Sequence, residues 1–141
     1  MYKPKNVFGK YPAIAVSGPF GAVKEQCSGL YAQTMAEKGY LTIAFDPSFT
    51  GESGGNPRFM ASPDINTEDF MAAVDFLSVR GDVDPDRIGK DAYENMIKDS
   101  KYTSNKELLT IPGAVHTDLY DNVDVIPFDK IQKFFEENGV G

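Results

Sequence analysis

Tyr11-Pro-Ala-Ile-Ala-Val16, closed by the breakers Ser17-Gly18-Pro19, and Tyr40-Leu-Thr-Ile-Ala-Phe45 are the two stretches that decide the fold. Each is short and near-continuously apolar. Alternation would mark a strand with one wet face, whereas a continuous run marks a strand covered on both faces, as in a parallel sheet. The second is also rich in β-formers. Between them, Lys24 to Lys38 reads as a helix. Cys27, Leu30, Tyr31, Thr34 and Met35 fall at helical spacing, and Gly39 supplies a C-terminal cap. The pair therefore reads as one strand–helix–strand unit.

Outward from this unit the pattern continues. Asp46 to Ile65 reads as a loop, with prolines at 47, 57 and 63 and glycines at 51, 54 and 55. A loop this long in a compact domain is often functional. Asn66 or Thr67 caps a helix to about Val79, with Phe70, Ala73, Val74 and Leu77 as its apolar stripe, and Gly81 ends it. Asp82-Val-Asp-Pro-Asp-Arg-Ile88 reads as a polar turn running toward a further strand. Instead, Lys90 to Ser100 carries a helical pattern, and Lys106-Glu-Leu-Leu-Thr-Ile111 is the third strand. A loop with His116, Asp118, Tyr120 and Asp121 follows. Pro127 opens a last helix whose Phe128, Ile131, Phe134 and Phe135 face inward, ended by Gly139. This order predicts a single α/β domain over residues 1–141, with a short, mainly parallel sheet.

Composition narrows the function classes. The 141 residues carry 14 Lys and Arg against 21 Asp and Glu, a formal net charge of -7. No two basic residues are adjacent, so nucleic acid is not an expected partner. No apolar stretch is long enough for a membrane span. Met1 to Lys10 is polar and lacks the apolar run of a secretory leader, so the expected location is cytoplasmic. One cysteine and one histidine cannot build a Cys/His zinc site or an internal disulfide.

The chain resembles the α/β-hydrolase superfamily, in its bacterial esterase and dienelactone-hydrolase-like branch. Pro12-Ala-Ile-Ala-Val-Ser-Gly-Pro-Phe-Gly-Ala-Val-Lys-Glu-Gln26 is similar to that family's third strand and oxyanion loop. Leu30-Tyr-Ala-Gln-Thr-Met-Ala-Glu-Lys-Gly39, Ala44-Phe-Asp-Pro-Ser48 and Gly51-Glu-Ser-Gly-Gly55 are similar to the helix, strand and loop that follow. Asp75-Phe-Leu77 and Val83-Asp-Pro-Asp-Arg-Ile-Gly89 resemble the approach to the nucleophile strand. Leu108-Leu-Thr-Ile-Pro-Gly-Ala-Val-His116 and Asp118-Leu-Tyr-Asp121 resemble the last strand and the histidine loop. The resemblance implies a three-layer hydrolase-like sandwich whose central nucleophile elbow and cap region are missing.

Acyl transfer needs a nucleophile, a base, a group that orients the base, and oxyanion donors. By resemblance, His116 occupies the base position. The backbone N–H groups of Phe20 and Gly21 are the oxyanion candidates. Ser53 satisfies G-x-S-x-G within Gly51–Gly55, and it precedes His116 as this superfamily's chain order requires. The motif demands a strand directly before and a helix directly after, whereas Asp46–Thr50 separates it from its strand and Pro57 follows. The alternative is an ordinary surface loop. Cys27 sits on a helix stripe, where inert thiols are common. Asp118, Asp121 or Asp64 could serve as the acid. The clusters Asp82/Asp84/Asp86 and Asp118/Asp121/Asp124 lack the spacing of a calcium loop and read as solvated turns.

Two functions stay open. One is a serine-type hydrolase acting on small esters or related acyl substrates, incomplete for want of an elbow. The other is a non-catalytic binding or self-associating remnant. No cofactor is implied. In the second reading, Lys106–Ile111 takes the place beside Tyr11–Val16 or leaves an exposed sheet edge, through which the chain would form a homo-oligomer.

Overall fold

A computed structural model describes residues 1–5, 9–88, 111–115 and 117–138. Its elements are β1 (Tyr11–Val16), α1 (Cys27–Glu37), β2 (Leu41–Ala44), α2 (Pro63–Ser78), β3 (Val83–Ile88), the single turn α3 (Asp118–Asp121) and α4 (Phe128–Asn138). The three strands form one parallel sheet in the order β2-β1-β3. β1 pairs with β2 from Ala13 opposite Leu41 to Val16 opposite Ala44.

Alternation along the strands divides the interior into two cores. Ala13, Leu41, Val83 and Ile88 face α2 and meet Val74 and Leu77, with Tyr11, Ala15 and Ile43 packed alongside. Ile14 and Val16 point the other way, toward Met35 of α1, Tyr40, Ile126 and Phe128. Helices thus cover both faces, and the α/β fold expected from the continuous apolar runs is the one observed. On α1, the buried Ser28, Ala32 and Ala36 are small and recur every four residues, which lets the helix lie close on the sheet. Buried Thr42 satisfies its hydroxyl by donating to the Ala32 carbonyl at 2.7 Å.

Three boundaries differ from the sequence reading. The third strand is Val83–Ile88, the segment read as a polar turn, and it takes the place beside β1. Val83 and Ile88 are buried, and Tyr11 N–H donates to Asp82 O at 2.9 Å. Between them the register slips, from Tyr11 opposite Val83 to Ala13 opposite Ile88. Pro85 lacks an N–H, and a bulge accommodates it together with its acidic neighbours. Helix α1 begins at Cys27 rather than Lys24. Helix α2 begins earlier than expected, with Pro63 at its first turn and Ser62 as cap, whose Oγ accepts from Ile65 N at 3.4 Å. The expected helix over Lys90–Ser100, most of the expected strand Lys106–Ile111 and the Gly139 stop lie outside the described residues.

The last helix matches expectation. Phe128 is buried, and Ile131 and Phe135 pack on the second core. Tyr31 meets Phe128 edge-on at 5.1 Å, and its hydroxyl donates to Leu119 O at 3.0 Å, tying α3 to α1. Among the described residues no helix is long and apolar enough to cross a membrane.

Candidate active site

The segment leaving β1 makes two consecutive closed turns before α1. Ala22 N–H donates to Pro19 O at 2.9 Å, and Gln26 N–H donates to Val23 O at 3.0 Å. In the first turn Gly21 has φ +83°, a conformation that glycine adopts without Cβ strain. The N–H groups of Phe20 and Gly21 have no partner among the described residues. Both residues line a cleft of about 840 Å³ with Cys27 and Leu30 of α1 and Tyr120 and Asp121 of α3.

The structure therefore brings the two oxyanion candidates together with the turn that directly follows the histidine loop. His116 itself lies outside the described residues. Asp118 accepts a hydrogen bond from Val115 N at 2.9 Å. Asp121 lines the cleft. Asp64 is in the first turn of α2. Cys27, at the first residue of α1, is half-buried and lines the cleft.

Ser53 is placed differently. Its hydroxyl donates to Asp46 O at 2.8 Å, and it is not among the described residues that line this cleft. The loop that carries it is held from several sides. Phe49 N–H donates to Gly54 O at 2.7 Å, and Arg58 donates to Gly51 O at 2.6 Å and also to Ser53 O. Ser48 donates to both oxygens of Asp69 on α2, at 2.7 and 2.6 Å. Two of the glycines in Gly51–Gly55 have packing roles. A Cβ on Gly51 would collide with the Asp46 carboxylate, and one on Gly55 with the Phe49 ring.

Asp46 was not singled out by its sequence. Its side chain is 2% exposed. The carboxylate accepts from Lys24 N at 2.6 Å, Lys24 Nζ at 3.0 Å and Glu52 N at 2.9 Å. Burial pushes this carboxyl up, but the bonds from Glu52 N, Lys24 N and the Lys24 ammonium outweigh it and hold the group below the ordinary aspartate value. Lys24 in turn is raised by its bonds to Glu52, Glu25 and Asp46. The sign follows: a depressed folded-state value stabilises the fold above the unfolded value and is lost as pH falls through the folded one. In urea titrations the loss assigned to Asp46 is expected below about pH 4, and Asp46→Asn should flatten that limb. An unchanged acid limb in the variant would contradict it.

Several members of the two acidic clusters make local bonds. Asp82 receives Arg80 through two bonds of 2.9 Å and pairs with Lys3 at 2.6 Å. Asp84 accepts from Asp86 N at 3.2 Å, and Asn122 accepts from Asp124 N at 3.3 Å. Among the described residues no group of three or more His, Cys, Asp or Glu gathers to hold a metal.

No protein-family model matches the chain. Over 90 residues, 63% of the chain, it is 69% identical to the uncharacterized protein PA2218 of Pseudomonas aeruginosa, and that stretch is 24% of the relative. Over 78 residues it is 37% identical to the thiohydrolase aneE of Aspergillus aculeatus, covering 55% of this chain and 24% of that one. The crystal structure of PA2218 superposes with a TM-score of 0.59 over 62% of this chain and 27% of that one. The structure of DcsB complexed with its substrate analogue, 33% identical, superposes with a TM-score of 0.54 over 57% and 28%. The chain thus spans about a quarter of the length of the curated relatives it matches. These likenesses support a hydrolase-like α/β fold.

Proposed function

We propose that this chain is a hydrolase-like, acyl-binding domain related to serine-type esterases and acyl or thioester hydrolases of the α/β-hydrolase superfamily, in the dienelactone-hydrolase-like branch. In this reading it keeps an oxyanion-type turn and lacks a nucleophile elbow of its own. The observation that carries it is the cleft, in which the unbonded N–H groups of Phe20 and Gly21 stand with α3, the turn just past His116.

Chemically, two adjacent backbone N–H groups left unbonded in a turn that lines a cleft suit a carbonyl oxygen that becomes an oxyanion. Leu30 and the exposed Phe20 ring offer apolar contact to an acyl chain. A hydroxyl nucleophile must be deprotonated by a nearby base. Ser53 instead points its proton at a peptide carbonyl, which cannot take it. The loop position after β2, with Pro57 downstream, also fails the strand–turn–helix context of an elbow. Self-association through the outer side of β3 is the weaker alternative, because Pro85, Asp84 and Asp86 are residues that discourage strand addition.

Hydrolysis of p-nitrophenyl butyrate and of a butyryl thioester tests the reading. Any acceleration is expected to stay within about 10³–10⁴-fold of water, the level left to oxyanion donors and binding alone, and to be unchanged in Ser53→Ala. Larger rates abolished in Ser53→Ala would overturn it.

A further inference from the structure

We infer that Asp46 is the positioning residue of this cleft: its buried carboxylate fixes the direction in which the Phe20 and Gly21 N–H groups face. The inference rests on the reading of the 19–22 turn as a cradle for an acyl oxygen.

Residues 19–26 are closed on themselves by the 19–22 and 23–26 turns, and Val23 N–H is taken by Gln26 Oε1 at 3.0 Å. At its far end the unit is tied to α1, where Gln26 O accepts from Gly29 N at 3.1 Å and Leu30 N at 3.4 Å, and its earlier part needs a hold from elsewhere. Asp46, at the end of β2, supplies that hold, accepting from Lys24 N at 2.6 Å across 22 residues. The same carboxylate accepts from Glu52 N at 2.9 Å. One group therefore locks the turn directly after the cleft turn, and the Gly51–Gly55 loop, to the strand end. The Lys24 ammonium is a lesser part of the lock, since it is shared with the exposed carboxylates of Glu25 and Glu52. Gly51 belongs to the same device, because any side chain there would displace the Asp46 carboxylate. A carboxylate this buried must have donors, and its two backbone donors come from two different loops, which the exposed Lys24–Glu52 pair joins only at the surface.

Asparagine is nearly the same size as aspartate but cannot accept at both ends. Its NH2 would face either Lys24 N–H or Glu52 N–H, and one of the two segments is released. Oxyanion donors act through fixed direction, so release of the turn weakens binding of an anionic oxygen.

The test uses the 15N-labelled full chain titrated with hexanoate, read at the Phe20 and Gly21 amides. The wild type is expected to show saturable shifts at both. Asp46→Asn should move these two signals without ligand and bind about tenfold more weakly, while the α2 amides of Ala73 and Leu77 stay in place. Glu52→Gln, which keeps the Glu52 N–H, should bind within about twofold of wild type. Should Asp46→Asn fail to fold, Gly51→Ala displaces the carboxylate without removing it and is expected to give the same two effects. Unmoved Phe20 and Gly21 signals and wild-type affinity in Asp46→Asn would overturn the inference. A wild type blind to hexanoate, with Phe20 and Gly21 still displaced in Asp46→Asn, would uphold the positioning role and count against the acyl-binding reading alone.

Discussion

Leu77→Ala is expected to remove about 3 kcal/mol of stability, within the 2–5 kcal/mol span of buried leucine truncations. Leu77 is fully buried on α2 and belongs to the core formed with Ala13, Leu41, Val74, Val83 and Ile88. Its side chain is the contact by which α2 covers the sheet near β3. β3 depends on that cover because Val83 and Ile88 are its buried residues and its middle carries two exposed positions, Pro85 and Asp86. The resulting cavity would be walled by backbone-anchored strand residues that relax little, which keeps the cost above the lower end of the range. Domains of this size hold about 5–15 kcal/mol in all, so the variant should unfold at markedly lower urea. Phe76→Ala, on the exposed side of the same helix, is the control and should change stability far less. A Leu77→Ala loss below about 1 kcal/mol would contradict this packing.

Gly55→Ala is the second large effect, expected to cost about 3 kcal/mol. Gly55 has φ +118°, and a Cβ built there runs into the Phe49 ring. Left-handed backbone costs a side-chain-bearing residue about 1–2 kcal/mol, and overpacking adds roughly 1–3 kcal/mol. The ring cannot easily withdraw, because Phe49 itself has φ +71° and is bonded through its backbone to Gly54 O and Phe59 N. Gly54→Ala is the internal control: nothing lies within 4 Å of its added Cβ. Equal stabilities of the two variants in thermal unfolding would show that the loop is not packed as described.

These two positions also mark what was legible in the sequence. The Phe70, Ala73, Val74 and Leu77 stripe and the runs at 11–16 and 40–45 are regular, because packing on one helix face or between two helix layers imposes a period. β3 was hidden, because Val83-Asp-Pro-Asp-Arg-Ile88 buries only its ends and spends its middle on a bulge. The start of α1 was misjudged for a related reason. Lys24, Glu25 and Gln26 are good helix formers, yet Lys24 N–H is taken by Asp46. At the site, Phe20 and Gly21 were proposed from the resemblance of the stretch after β1 to an oxyanion loop and from its small residues, and both line the cleft. The doubt over Ser53 was legible in its breakers. Asp46 was not, since a single aspartate at a strand end looks like a solvated one until its partners, 22 and 6 residues away, are seen.

Fluorophosphonate labelling of the purified chain, read by intact mass and peptide mapping, tests the central claim most directly. The account expects a folded sample with no adduct on any serine. A stoichiometric adduct on Ser53 that disappears in His116→Ala would contradict it, because it would mean that Ser53 leaves its bond to Asp46 O and works as a nucleophile.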